Sequence, residues 1–264
     1  MEIPAPIWAI IEPHLFGGVL LMTRLIGLVQ LMPAISQGME SIPTKTLFIT
    51  MLTVFCYSAL GMPVVFVPNE ILVAIPMLVR EFLIGASLGY VVHLLFAVAE
   101  GAGAIAAMSM SLSLGGLVDP MTGEQSPAIG NLLGIGAALL FVALGGHREM
   151  VQGLMTNLHL YPVGGSTPVG LDVAALSALG KGFFAASIQL AAPVLVVTTL
   201  VNVGLGLLAR AAPQVNLFAV GFALLLVAGL IVLDTTVMAL HEHVEGDVSR
   251  LGETMNEHVR ELGP

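Results

Sequence analysis

The stretch from Gly182 to Ala209, GFFAASIQLAAPVLVVTTLVNVGLGLLA, contains no charged residue and lies between Lys181 and Arg210. A helix that crosses the hydrocarbon core of a bilayer needs about 20 consecutive apolar residues, and this stretch is longer than that. Inside hydrocarbon the backbone must form its hydrogen bonds within its own segment, which makes a helix the expected state. The stretch therefore predicts a membrane helix.

Similar apolar segments recur along the chain. Three more charge-free runs lie between Lys45 and Glu70, between Glu124 and His147, and between Arg210 and Asp234. Two further apolar segments, at about 14–33 and 71–99, contain charged residues. We predict an all-α, polytopic membrane-type protein with about six hydrophobic helical segments, kinked helical hairpins and a re-entrant central loop. Kinks or breaks are expected at the prolines in or beside these segments, which are Pro33, Pro63, Pro76 and Pro193.

The composition excludes several classes of function. Charged residues make up 9% of the chain, against about 25% in soluble domains. No basic stripe of the kind that binds nucleic acid is present. Cys56 is the single cysteine and is expected to be a buried small hydrophobe. No metal site and no cofactor are predicted, and the first apolar stretch is expected to remain as a membrane segment because no basic residue precedes it.

Polar stretches separate the apolar segments. Residues 34–44 and 145–171 are rich in Gly, Pro and Ser, and we interpret both as connections. After Asp234 apolar residues recur at helical spacing among charged ones, which predicts an acidic amphipathic helix at 241–264. These apolar residues are Val244, Val248, Leu251, Met255, Val259 and Leu262.

Charged residues inside apolar segments are expensive to bury and are functional candidates by default. Arg24 lies in the middle of the first segment, and Glu81 and Glu100 lie within and at the end of the third. Either carboxylate is a candidate partner for Arg24. A structural interpretation of Arg24 is an ion pair between packed helices or an arginine that snorkels. For the charges of the third segment, Glu81 and Glu100, a proton relay is the functional alternative.

Residues 108–127, MSMSLSLGGLVDPMTGEQSP, resemble neither a regular helix nor a solvated loop, and Asp119-Pro120 predicts a turn within them. Methionine fills irregular gaps, and irregular backbone at membrane depth must be buried in protein or line a cavity. The stretch is therefore interpreted either as a deformable pore plug or as a packing element. The proposed plug residues are Met108, Ser109, Met110, Ser111, Leu112, Ser113, Leu114, Gly115 and Gly116.

Two patterns match catalytic motifs by letter only, and a third group of residues could resemble a metal cluster. Residues 85–89 fit GxSxG around Ser87, but that motif requires a strand-to-helix turn, and here it lies in an apolar helical run. Residues 204–209 loosely fit a dinucleotide fingerprint without the strand or the acidic residue that it requires. His241, His243 and Glu245 do not form an HExxH motif. We expect no enzyme activity and no catalytic residue.

Residues 207–222, LLARAAPQVNLFAVGF, resemble the signature of the FliR family of flagellar export-gate subunits, which has relatives in virulence type III secretion. The elements of the signature are Arg210, Pro213, Gln214 and Asn216. Other landmarks of the family match in order, among them Arg24, Glu81, Glu100, Met110 and Asp119-Pro120. One departure is Ala223, where many members have proline.

The resemblance implies three parts of the chain. Residues 1–170 would be a P-like N-terminal part that includes the central loop 108–127. Residues 171–240 would be a Q-like helical hairpin, with Arg210, Gln214 and Asn216 in its turn near the cytoplasmic entrance. Residues 241–264 form the acidic tail, for which the resemblance implies no role.

The resemblance also implies partners and a place in the cell. One copy of this chain would join P and Q export-gate subunits in a hetero-oligomer around the channel that exports unfolded flagellar proteins. Other membrane components of the export apparatus, the unfolded substrates and the lipid membrane are further expected partners. The expected location is the bacterial inner membrane at the flagellar basal body. The rival interpretations are the equivalent subunit of a virulence type III system, a secondary transporter, and a membrane hydrolase that uses Ser87.

Overall fold

The computed structural model of the chain describes residues 7–32, 41–68, 70–112, 128–165, 173–212, 214 and 216–261. Helices dominate these residues, and none of them forms a strand. The helices are α1 (Ile7–Gln30), α2 (Ile42–Ala59), α3 (Ile71–Ser109), α4 (Ala128–Ala143), α5 (Gly146–Leu160), α6 (Val173–Ala211) and α7 (Leu217–Glu261).

Five of these helices are long and apolar enough to cross a membrane, and there are six candidates if α4 and α5 together form one interrupted span. The predicted all-α polytopic fold with about six apolar segments is therefore confirmed. Most of the predicted re-entrant loop at 108–127 lies outside the described residues, which end at 112 and resume at 128.

Residues 145–171 were expected to form a connection, and this prediction is wrong over most of its length. Gly146–Leu160 is the helix α5, which buries Met150, Leu154 and Leu158 along one face. Gly145 takes a φ of 77° at the break before it, a left-handed conformation that glycine adopts without a steric penalty. The glycine ends the helical segment that contains α4, and the apolar side chains at four-residue spacing after it favour a new helix, α5.

Two of the four prolines that predicted kinks or breaks lie inside helices that continue past them. Pro76 is in α3 and Pro193 is in α6, each 39 residues long. Pro63 follows α2 in a stretch without regular secondary structure, and Pro33 lies outside the described residues. Apolar sequence on both sides of a proline is therefore compatible with one continuous helix here.

The end of α2 shows how local sequence stops a helix. Gly61 takes a φ of 72°, its N–H donates to Ser58 O at 3.1 Å, and the Met62 N–H donates to Tyr57 O at 3.1 Å. This is the double hydrogen bond of a glycine-terminated helix. The Tyr57 hydroxyl then donates to Pro63 O at 2.9 Å and lies 3.2 Å from His14 Nδ1 on α1.

The contacts divide the described residues into two compact units. Unit 1 contains α1, α2, α3 up to His93, α5 with the segment after it, and α7 from Ser249. Unit 2 contains α3 from Leu94, α4, α6 from Ser177, and α7 up to Val248. Each unit has its own apolar core. Examples are Leu25, Leu28, Ile84, Leu88 and Leu154 in unit 1, and Phe96, Leu133, Phe141, Val194 and Leu240 in unit 2.

The 45-residue helix α7 changes character along its length. At 1.5 Å per residue it is about 68 Å long, more than twice the roughly 30 Å of a hydrocarbon core. Its first part is apolar and largely exposed, whereas its last part alternates charged residues with the buried Val248, Leu251, Met255 and Val259. The helix expected over the tail is present as the end of α7.

Candidate functional site

The first candidate site is a fully buried ion pair in unit 1. Arg24 on α1 and Glu81 on α3 are both 0% exposed. Arg24 Nη2 lies 2.5 Å from Glu81 Oε2, and Arg24 Nε donates to the same oxygen at 2.7 Å. Of the two carboxylates considered for Arg24 from the sequence, the structure pairs it with Glu81.

The segment at the end of α5 completes the surroundings of this pair. Arg24 Nη1 donates to the backbone oxygen of Tyr161 at 2.9 Å and approaches Asn157 Oδ1 at 3.4 Å. The backbone N–H of Gly164 donates to Glu81 Oε1 at 3.1 Å. Buried charges are tolerated when they are paired and hydrogen-bonded, and both oxygens of this carboxylate have partners. The network links α1, α3 and residues 157–164.

Arg80 adds a second link between α3 and the same segment. It donates to the backbone oxygen of Gly165, and its Nη1 lies 3.7 Å from Glu81 Oε1. Adjacent residues on a helix point in different directions, yet both Arg80 and Glu81 reach the chain after α5.

Glycines explain how the ion pair can form between α1 and α3. A Cβ atom on Gly85 would collide with the carbonyl oxygen of Arg24, and one on Gly89 would collide with that of Leu28. On the other side, a Cβ on Gly27 would collide with the carbonyl oxygen of Phe82. Small residues four apart let two helix backbones touch. This contact holds the backbone of Arg24 directly against α3.

Glu100 lies in unit 2, at a contact between α3 and α4. A Cβ on Gly134 would lie 2.8 Å from Glu100 Cγ and 3.1 Å from its Oε1. One turn away, a Cβ on Gly103 would lie 2.6 Å from Gly130 Cα. Gly130 and Gly134 therefore form a second small-residue face, and it packs against the half-buried Glu100.

The described part of the proposed plug stretch lies at the end of α3. Met108 and Ser109 are its last helical residues, and Met108 is 64% exposed. Met110 is fully buried in unit 2, where its side chain occupies the space beside Gly229 on α7. Ser111 takes a φ of 62° and Leu112 follows it. The remaining plug and turn residues lie outside the described residues, namely Ser113, Leu114, Gly115, Gly116, Asp119 and Pro120.

The signature turn joins α6 to α7. Arg210 is exposed in the last turn of α6, where a positive charge is favourable next to the helix C-terminus. The side chain of Asn216 accepts a hydrogen bond from the Ala219 N–H at 3.4 Å, in the geometry of an N-cap residue for α7. Gln214 is exposed, and Pro213 lies outside the described residues.

Sequence reasoning missed the α5 side of the ion-pair network, because residues 145–171 were interpreted as a connection. Asn157 is fully buried, and Tyr161 and Gly164 contribute only backbone groups, which no side-chain pattern reveals. The available signal was the four-residue spacing of Met150, Leu154 and Leu158, which places an apolar stripe on one helix face.

The patterns that matched catalytic motifs by letter lie in ordinary helical surroundings. Ser87 is inside α3 and donates back to Ile84 O at 2.8 Å. Residues 204–209 are inside α6. His241 and His243 each form an i,i+4 contact with an acidic residue, at 4.0 and 3.5 Å. Among the described residues no three His, Cys, Asp or Glu side chains are grouped to hold a metal ion.

The sequence profile of the bacterial export proteins, family 1, matches residues 15–251. The match covers all of unit 2, most of unit 1, the ion pair and the signature turn. The chain belongs to this family. Within the family, the chain is 30% identical to the flagellar biosynthetic protein FliR of Escherichia coli K12 over 210 residues, 79% of each chain.

Two further relatives show the range of the family. The chain is 28% identical to the flagellar biosynthetic protein FliR of Bacillus subtilis over 211 residues, 79% of this chain and 81% of that one. It is 31% identical to the surface presentation of antigens protein SpaR of Salmonella typhimurium over 147 residues, 55% of each chain. The family match ends at residue 251, whereas α7 continues to Glu261.

Proposed function

We propose that this chain is a subunit of the flagellar type III protein export gate. The observation that carries the proposal is the family match across residues 15–251, together with flagellar relatives that share about four fifths of its length. The proposed role is structural and not enzymatic, and the proposed location is the bacterial inner membrane at the flagellar basal body.

The proposed partners are the P and Q export-gate subunits, which form with one copy of this chain the channel for unfolded flagellar proteins. In this proposal residues 1–170 are P-like, and residues 171–240 are a Q-like hairpin. Support comes from the apolar side chains that α6 and α7 leave exposed and available to lipid or to other subunits. These include Ile188, Val196, Leu200, Val203, Leu207, Leu224, Val227 and Ile231.

Residues 108–116 are the proposed pore plug. The end of α3 at Ser109 and the left-handed backbone of Ser111 support a change of direction at the start of this stretch. The buried contact between Met110 and Gly229 supplies an anchor on α7, so the residues after it would form the movable part.

The plug proposal predicts that deleting Leu112–Gly116 raises the leak of ions and small molecules in cells that produce the whole gate. The deletion removes the proposed obstruction but keeps the Met110 anchor. Leak is measured as dye uptake or sensitivity to a small toxic solute, with Met110→Leu as the control because it preserves side-chain volume. A leak equal to that of the wild type would contradict the plug proposal.

The turn of Arg210, Gln214 and Asn216 is the proposed contact with the assembly near the cytoplasmic entrance. Arg210 is exposed, and the structure gives it no internal ion pair within the described residues. An exposed arginine beside a capped turn is available to donate hydrogen bonds to a carboxylate of a partner.

Co-purification tests this proposal. A tagged chain should bring down two small membrane proteins of the P and Q types from detergent-solubilised membranes, and Arg210→Ala should lower their yield several-fold. Arg250→Ala is the matched control, because Arg250 is also exposed on a helix but lies outside the turn. Recovery of the chain alone from its native membranes would argue against the export-gate assignment. Equal yields of the partners with Arg210→Ala and Arg250→Ala would argue against a contact between the turn and the assembly.

The equivalent subunit of a virulence type III system is the second candidate, and the match to SpaR favours it. The flagellar matches extend over more of the chain. If a strain that lacks this gene still assembles flagella, the chain belongs to the virulence system.

A further inference from the structure

The last turns of α7 and the outer face of α5 enclose a polar cleft of about 390 Å³ in unit 1. Small-molecule and side-chain pockets have volumes of roughly 300–1,000 Å³, so this cleft has room for a ligand group. The helices cross at Gly153 and Gly252, where a Cβ on Gly153 would lie 2.9 Å from Gly252 Cα. That close crossing brings the side chains on either side of it together.

The charged lining of the cleft is predominantly acidic. Glu149 comes from α5, and Glu253 and Glu257 come from α7, with Arg260 as the cation among the lining residues. Glu253 and Glu257 are i,i+4 on one helix face, where two like charges destabilise the helix unless a cation lies nearby. The ion pairs of the described residues include neither of these two carboxylates, whereas Glu149 is 3.4 Å from the exposed Arg148.

A buried acceptor lies in the same cleft. Asn256 is 8% exposed and lines the cleft. Its Nδ2 donates to Gly252 O at 2.7 Å and to Gly153 O at 3.3 Å, which fixes the orientation of the amide. Its Oδ1 is buried and has no hydrogen-bond partner among the described residues. A buried acceptor without a donor is destabilising, so a donor that reached Asn256 Oδ1 would stabilise this part of the cleft.

We propose that this cleft binds arginine side chains of a basic segment from another protein. A guanidinium group presents five N–H donors in a rigid plane and pairs with carboxylates in a bidentate manner. It can pair with the exposed Glu253 and Glu257 carboxylates, and an N–H that reached Asn256 Oδ1 would supply the donor that this acceptor lacks. Because Glu149 lies beside Arg148, the carboxylates of the cleft outside the ion pairs of the described residues are Glu253 and Glu257. A polypeptide with two basic residues can pair with both of them, which favours it over a single small cation.

Five of the eleven residues that line the cleft lie beyond residue 251, where the family match ends, and they include Glu253 and Glu257. The inference rests on the residues of the cleft and not on the proposed export-gate function. It assigns a binding role to the acidic tail, for which the family resemblance gives none.

The test is fluorescence anisotropy with the full chain in detergent micelles and a labelled alanine-based peptide that contains two arginines. We expect saturable binding that weakens about tenfold in the Glu253→Gln/Glu257→Gln variant, since exposed charges of this kind control electrostatic association. The matched control is Glu242→Gln/Glu245→Gln, which removes the same charge from exposed positions on α7 outside the cleft and should leave binding unchanged.

Two comparison ligands define the chemistry. The same peptide with citrulline in place of arginine keeps the shape and loses the charge, and it should not bind. Arginine amide carries one guanidinium group and should bind much more weakly than the peptide. Equal weakening by both glutamine variants, equal binding of the citrulline peptide, or equal affinity for arginine amide would each overturn the proposal.

Discussion

The Gly85→Ala variant is expected to accumulate at a small fraction of the wild-type level, because the added methyl group would occupy the position of the Arg24 carbonyl oxygen. The obstructing atom belongs to a helix backbone and cannot turn away as a side chain would. Overpacking of a core typically lowers the free energy of unfolding by about 1–3 kcal/mol, and sometimes by more. A backbone collision in the middle of the contact between α1 and α3 belongs at the upper end of that range.

The thermal unfolding midpoint of detergent-purified protein is the measurement for this variant. Gly18→Ala on α1 is the matched control, since no heavy atom lies within 4 Å of its new Cβ. Alanine favours a helix over glycine by about 1 kcal/mol, so Gly18→Ala should be neutral or slightly stabilising. A Gly85→Ala protein as stable as the Gly18→Ala protein would disprove the direct backbone contact.

Replacing Arg24 with alanine should lower the free energy of unfolding by about 3–5 kcal/mol, because Glu81 would remain buried without its counter-ion. Combined replacement, Arg24→Met with Glu81→Leu, removes both charges and fills similar space, so it should be less damaging than Arg24→Ala alone. The double variant should still be less stable than the wild type, because Tyr161 O and Gly164 N lose their hydrogen-bond partners in it.

A double-mutant cycle with Arg24→Met, Glu81→Leu and their combination measures this coupling. The two single variants should each lose free energy of unfolding, and the sum of their losses should exceed the loss of the combined variant by about 1–3 kcal/mol, as for residues in direct contact. Arg148→Ala is the control, since its side chain is 81% exposed and its pairing with Glu149 is solvated. Strictly additive losses at Arg24 and Glu81 would mean that the two charges act independently.

Much of the fold follows from hydropathy alone. The charge-free runs locate α2, α4, α6 and the apolar part of α7, because hydrocarbon leaves the backbone no alternative to a helix. The same argument fails for α5, whose flanking glycines and polar residues resemble a connection although one face of it is apolar. Pro76 and Pro193 do not break their helices, since long apolar helices can continue through a proline when their neighbours compensate.

The candidate site was predictable only in part. The cost of a charge in an apolar segment identifies Arg24 and Glu81 as important and as potential partners. Their remaining ligands are backbone atoms of Tyr161 and Gly164, and backbone atoms leave no trace in a sequence. The cleft of the tail was equally hidden, because it requires Gly153 and Gly252, almost a hundred residues apart, to meet.

The glycine contact between α1 and α3 also has a mechanical consequence. Where main chain touches main chain, there is no layer of side chains that can change rotamer to let one helix slide along the other. The ion pair between Arg24 and Glu81 adds a second connection between the two helices at the same place. α1 and the Ile71–His93 part of α3 therefore behave as one stiff body.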